Sequence, residues 1–267
     1  MGPRIISGLT GLAIVLPILY KGGWLVGALI AFVVAVAMDE WAIMMTRDDP
    51  STRLRSRVFL IPAGLLLHLA VLNGPEPTRV AAVGVAVMAG LLVPMFLERD
   101  VRRAGTQALR SVVGLVYAPL LMAPLVPLRG RDDGIYMILY LLAATWLGDT
   151  GAFFAGRAFG KTKLFERISP KKTVEGAIGG LLLSAVGGFA FAKVGHLPFG
   201  VVECILLTMA LDVAGIVGDL AESLIKRAWD VKDSGWIMPG HGGILDRVDS
   251  LMFTAPILWL WLQVRTS

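Results

Sequence analysis

Long apolar runs alternate with short charged breaks along the whole chain, and the length of the runs carries the first expectation. A helix needs about 20 mainly apolar residues to cross the hydrocarbon core of a bilayer. Nine runs approach that length, at about 5–20, 24–45, 58–73, 80–97, 111–128, 135–156, 174–192, 199–218 and 250–264. Charge, Gly, Pro or Asn bounds each one. The first run follows Arg4 like the core of a signal peptide, but no small-residue cleavage site separates it from the second, so it is read as retained. Pro17, Pro62, Pro94, Pro119, Pro124 and Pro256 lie inside runs, where membrane helices tolerate them. The pattern predicts an all-α, polytopic membrane protein of about nine transmembrane helices. Five spans fall in an N-terminal region, 1–134, and the rest in a C-terminal region, 135–267, which holds the charged segments 148–176 and 218–249. No internal repeat is detectable, which weighs against a secondary transporter.

Composition agrees with the spans. The chain is 56% hydrophobic and 17% charged, with a mean hydropathy of +0.72, more apolar surface than a soluble fold can hide. Its single cysteine, Cys204, excludes an intramolecular disulfide and a Cys-based zinc cluster. A pI near 9.6 suits either nucleic acid or basic cytoplasmic loops. Position decides: 19 of the 25 Lys and Arg residues fall in alternate segments that start with the N-terminus, and 6 fall in the others. The positive-inside rule then places the N-terminus and both charged segments in the cytoplasm and the C-terminus outside. Charge divided among short loops does not describe a nucleic-acid binder.

Asp39, Glu40, Asp149 and Asp212 lie inside apolar runs, where a carboxylate costs about 2.5–3.5 kcal/mol on insertion scales. Asp149 and Asp212 are each roughly 10 Å from the cytoplasmic end of their spans at 1.5 Å per residue, and Asp39 is at a similar depth. They suggest a polar cavity open to the cytoplasm. The alternative is hydrogen bonding to neighbouring helices, and it is the stronger reading for Asp39 and Glu40.

The first charged segment centres on Ser169-Pro170-Lys171-Lys172-Thr173, followed by Glu175 and Gly176. Paired lysines and hydroxyls just before a helix that begins near Thr173 or Val174 suit a phosphate. The hydroxyls can also cap the helix. In the second segment a helix continued from the eighth span would put Asp212, Asp219 and Lys226 on one face, beside Glu222 and Ser223. Beyond it come Lys232, Asp233 and Gly235, then Pro239 to Asp249. Gly240, Gly242 and Gly243 free the backbone for close approach, and Asp246 and Asp249 are spaced to share a site. Carboxylates interleaved with Lys and Arg suit phosphate chemistry with Mg²⁺. His241 fits an acid–base, phosphate-binding or structural role. There is no P-loop.

Ser223-x-x-Lys226-Arg227-x4-Lys232-Asp233-x-Gly235 and Pro239-x-His241-Gly242-Gly243-x-x-Asp246-Arg247-x-Asp249 resemble the signature of the phosphatidate cytidylyltransferase (CDP-diacylglycerol synthase) family. Ser169 to Gly176 resembles that family's second motif. Met238 stands where Leu, Ile or Phe is usual. The resemblance is strong in the C-terminal half; the N-terminal half matches only as a series of apolar spans. It implies a membrane enzyme of phospholipid biosynthesis, in the inner (cytoplasmic) membrane, that converts CTP and phosphatidate to CDP-diacylglycerol and pyrophosphate with Mg²⁺, with room for a second cation. It implies Asp219 and Asp246 as metal ligands and Lys226, Arg227 and Asp249 as catalytic residues. Ser169, Lys171, Lys172, Thr173, Ser223, Lys232, His241, Gly242, Gly243 and Arg247 are implied in substrate binding, with Asp149 and Asp212 in support. A homodimer is compatible with the sequence. A CTP-dependent polyprenol kinase, a CDP-archaeol synthase and an ion transporter using Asp149 and Asp212 are the competing readings.

Overall fold

The computed structural model describes residues 2–237 and 242–266, with side chains from 8 to 237 and 242 to 265. His241, Met238, Pro239 and Gly240 therefore lie outside the described residues. Among the described residues the fold is all-α apart from one small hairpin. Ten helices follow in order: α1 Gly2–Lys21, α2 Trp24–Met45, α3 Arg53–Asn73, α4 Glu76–Leu97, α5 Val101–Leu121, α6 Leu125–Gly130, α7 Gly134–Phe159, α8 Val174–Val194, α9 Val201–Ala228 and α10 Leu245–Thr266. Strands β1 Lys163–Phe165 and β2 Ser169–Thr173 pair antiparallel between α7 and α8.

Among the described residues seven segments are long and apolar enough to cross a membrane: α2, α3 with the turn before it, α4, α5 with α6, α7, α8 and α9. The chain is a multi-pass membrane protein. The fifth apolar run, expected as one span over 111–128, is broken: α5 starts ten residues earlier, at Val101, and ends at Leu121. A turn at Met122–Pro124 then separates it from the short α6, because Pro124 and Pro127 remove backbone donors. The eighth run continues as helix to Ala228, so the stripe from Asp212 to Lys226 lies on one continuous helix.

Two compact units divide the chain. The first comprises residues 1–127 and 229–247, and the second 128–228 and 248–267. In the first, α2 packs on α3 and α5. Trp41 is buried, donates to the Arg110 carbonyl at 3.0 Å and stacks edge-on against Trp229 at 5.1 Å. His68 Nδ1 lies 2.9 Å from the Pro119 carbonyl oxygen, linking α3 to α5.

In the second unit α7 and α8 lie against each other through small residues, which let membrane helices approach closely. A Cβ added at Gly179 would collide with Ala155, and one at Gly151 would lie 2.9 Å from Leu183. Tyr140 of α7 reaches Thr208 of α9 at 2.7 Å.

Candidate active site

The second unit brings the two charged segments together at one pair. Thr173 ends β2 and caps α8, accepting from the Gly176 N–H at 3.1 Å, so the helix begins where the sequence placed it. Glu175 turns back to accept from the backbone N–H groups of Lys161 and Thr162, both at 3.1 Å. Lys163 donates to the Pro170 carbonyl at 2.6 Å across the hairpin. These contacts fix β2, and from it the Lys172 ammonium reaches Asp219 Oδ2 of α9 at 2.5 Å. Lys171, its neighbour, faces outward and is exposed.

Along α9 the stripe is an ordered series. Ser223 donates to Asp219 Oδ1 at 3.2 Å, and one turn on the buried Lys226 donates to the buried Glu222 at 2.6 Å. Asp249, at the start of α10, lies within electrostatic range of Asp219, Asp149 and Lys226. Asp212 is 3% exposed, and its Oδ2 has no hydrogen-bond partner. Glycine makes its room: a Cβ at Gly148 of α7 would strike Asp212 Oδ1, and one at Gly180 of α8 would lie 3.5 Å from Oδ2. Asp149, next to Gly148, is exposed.

In the first unit the loop before α10 is held by two carboxylates. Glu40 of α2 accepts from the N–H groups of Ile244 at 2.8 Å and Leu245 at 2.9 Å, and from the Ser234 hydroxyl at 3.1 Å. It thereby satisfies donors at a helix N-terminus, where a carboxylate is favoured. Asp246 Oδ2 accepts from Ser234 N and Oγ, both at 2.8 Å, and from Gly243 N at 2.7 Å. Gly242 has φ +81°, and a side chain there would press on Asp246; at Gly243 it would press on Ser234 and Glu40. The absence of side chains at these two glycines makes room for the carboxylates. Lys232 and Arg247 are exposed. Asp39 pairs with Arg57 of α3, so both acidic residues of α2 serve neighbouring elements.

Sequence reasoning expected Glu40 to hydrogen-bond neighbouring elements but did not place its partners, and it did not foresee Ser234 or the hairpin. Glu40 had no local signal, since its partners are about 200 residues away. Among the described residues no group of three or more His, Cys, Asp or Glu side chains is gathered as a metal cluster. The donor chemistry nonetheless suits a hard cation: Asp219 offers carboxylate oxygens near Asp249, and an ammonium stands against one of them.

A multi-pass membrane protein in which hydroxyl, lysine and carboxylate groups are drawn together is the class that the fold and the site define. Comparison sharpens this class: the model of the cytidylyltransferase family matches residues 2–265, and the chain belongs to that family. It is 43% identical over 150 residues to a phosphatidate cytidylyltransferase of Bacillus subtilis, an alignment covering 56% of each chain. Proteins of the same name from Staphylococcus epidermidis and Staphylococcus aureus are 35% and 34% identical, over 97% of both chains.

Proposed function

We propose that the protein is a phosphatidate cytidylyltransferase, joining CTP and phosphatidate to give CDP-diacylglycerol and pyrophosphate. The observation that carries this reading is the Lys172–Asp219 pair, which joins the Ser169–Thr173 motif to the acidic stripe of α9. Relatives of that name matching nearly the whole chain support it.

The lipid phosphate oxygen attacks the α-phosphorus of CTP, and pyrophosphate leaves. A phosphate monoester is already ionised, so the barrier is mainly repulsion between anions, which fixed cations and positioning lower. Lys171, Lys172, Lys226, Arg227, Lys232 and Arg247 are the cations assigned to CTP and lipid phosphates. Mg²⁺ supplies further charge neutralisation when bound. Asp219 and Asp246 are the residues assigned to it by family resemblance, with Asp249 beside Asp219. The reading includes nine spans, with α1 and α10 also crossing the membrane, and a bacterial cytoplasmic membrane with the motifs facing the cytoplasm, as the bias of Lys and Arg supports.

CTP labelled separately at the α- and γ-phosphates, incubated with membranes and phosphatidate, tests the reaction. Label from the α-position should enter the lipid; label entering only from the γ-position identifies a kinase and overturns the assignment. In Asp246→Asn an oxygen remains for the three donors of the loop but the charge is lost. Near-normal turnover in that variant, inserted and folded, removes Asp246 from the metal site.

A further inference from the structure

Both carboxylate oxygens of Asp219 are engaged from within the second unit. Oδ2 faces the Lys172 ammonium at 2.5 Å, and Oδ1 accepts from the Ser223 hydroxyl at 3.2 Å. Asp249 lies within electrostatic range of Asp219 and of Asp149, so acids gather around this pair. Lys226, two turns further along α9, is bound to Glu222 at 2.6 Å. The Lys172 ammonium thus sits directly on a carboxylate to which the cation is assigned. A hard divalent cation seeks the same oxygens, at about 2.1 Å for Mg²⁺. Two cations on one carboxylate oxygen repel each other, and the divalent one displaces the ammonium only where the ammonium finds another anion.

The backbone around Lys172 is held on both sides. Lys163 donates to the Pro170 carbonyl at 2.6 Å, and the Val174 N–H donates to the Thr162 carbonyl at 2.9 Å. Lys172 therefore releases Asp219 by swinging its flexible four-carbon stem, a motion that lysine and its rotatable ammonium allow. The side chain is 25% exposed, enough for a ligand to reach it. Charge decides which ligand drives the swing. A divalent cation arriving alone leaves a partly buried ammonium without its partner, which is costly. The triphosphate of CTP supplies the missing anion, and with the cation bound to it both charges arrive together.

We propose that Lys172 makes the two ligands depend on each other: its ammonium competes with the divalent cation for Asp219 and gives the carboxylate up when a nucleotide phosphate receives it. Lys172 thereby selects the complex of cation and nucleotide over either component alone. Lys171, its neighbour on β2, is exposed and faces outward, so it takes no part in the exchange. The inference rests on the assignment of Asp219 to the cation and of CTP as substrate, and it adds to them a residue that sets which ionic form of the nucleotide is accepted.

The test uses the full chain purified in detergent, with Mn²⁺ as the probe, no nucleotide, and free Mn²⁺ read by electron paramagnetic resonance. Lys172→Met should bind Mn²⁺ about tenfold more tightly than the unsubstituted protein, even though it transfers cytidylyl groups more slowly. Lys172→Arg and Lys171→Met keep a cation on Asp219 and should stay within about threefold of the unsubstituted protein. Coupling between two ligands is reciprocal, so CTP binding in EDTA gives a second measurement: Asp219→Asn should tighten it about tenfold by releasing Lys172, and Asp219→Asn/Lys172→Met should lose most of that gain. A lysine that only supports the fold predicts equal or weaker Mn²⁺ binding in Lys172→Met. That result, an equal gain in Lys171→Met, or a gain in CTP binding that survives undiminished in the double variant overturns the proposal. Failure of the unsubstituted protein to pass α-label from CTP to lipid overturns the underlying reading, and the proposal with it.

Discussion

Lys172 of β2 stands 2.5 Å from Asp219 of α9, and this one ion pair ties together motifs that are nearly fifty residues apart. Each side chain is only partly exposed, so the pair is worth more than a solvated surface contact. Lys172→Ala leaves Asp219 without its cation. We expect cytidylyl transfer to fall about 10- to 100-fold, corresponding to about 1.5–3 kcal/mol for a charged hydrogen bond. Lys172→Arg should retain a measurable part of it. Incorporation of α-labelled CTP into lipid, at equal membrane content of the variants, measures both.

Glu40 places two acceptor oxygens against three donors of the loop before α10. Glu40→Gln turns one oxygen into an NH₂ group facing donors. The loss should be about 2–4 kcal/mol, somewhat above that of a neutral hydrogen bond because a charge is involved. The melting temperature in detergent should drop, and activity with it, although Glu40 belongs to no motif. Unchanged stability in this variant would contradict the hydrogen-bond assignment.

Gly148 faces Asp212 with no room for a side chain. Gly148→Ala should destabilise the second unit and lower the yield of folded protein. Adding Asp212→Ala should restore yield by removing the carboxylate from that space. Such non-additivity is the mark of two groups in contact. Size-exclusion profiles of the two single variants and the double variant decide it; a double variant no better folded than Gly148→Ala refutes the contact.

Arg110 beside Asp48 holds that carboxyl below its ordinary value of 3.8. A lowered folded-state value means the pair contributes stability above the unfolded value and loses it as pH falls through the folded one. Between pH 5 and 9 the contribution should therefore be flat, with loss confined to pH below about 4. Asp48→Asn should lower stability by a constant amount across the neutral range and remove that part of the acid limb, so that the two proteins converge at low pH. Melting curves from pH 3 to 9 compare the two proteins.

Most helices were legible in the sequence because membrane spans are set by length and hydropathy, and the cap at Thr173 follows from local chemistry. The interruption after Leu121 was less legible, since hydropathy averages over the prolines that cause it. The stripe on α9 follows from helical periodicity. Its partner in β2 does not, because a five-residue strand rich in lysine carries no apolar alternation. Glu40 was opaque for a different reason: a buried acid announces a need for donors but not where in the chain they are.

The Glu40 contacts also impose an order on biosynthesis. The carboxylate enters the membrane with α2, while Ser234, Ile244 and Leu245 are made about 200 residues later. Until then the nascent protein holds an acid whose intended donors do not yet exist. A chain that ends after α2 but before Ser234 holds the Glu40 carboxylate without any of the three donors that it has in the folded protein.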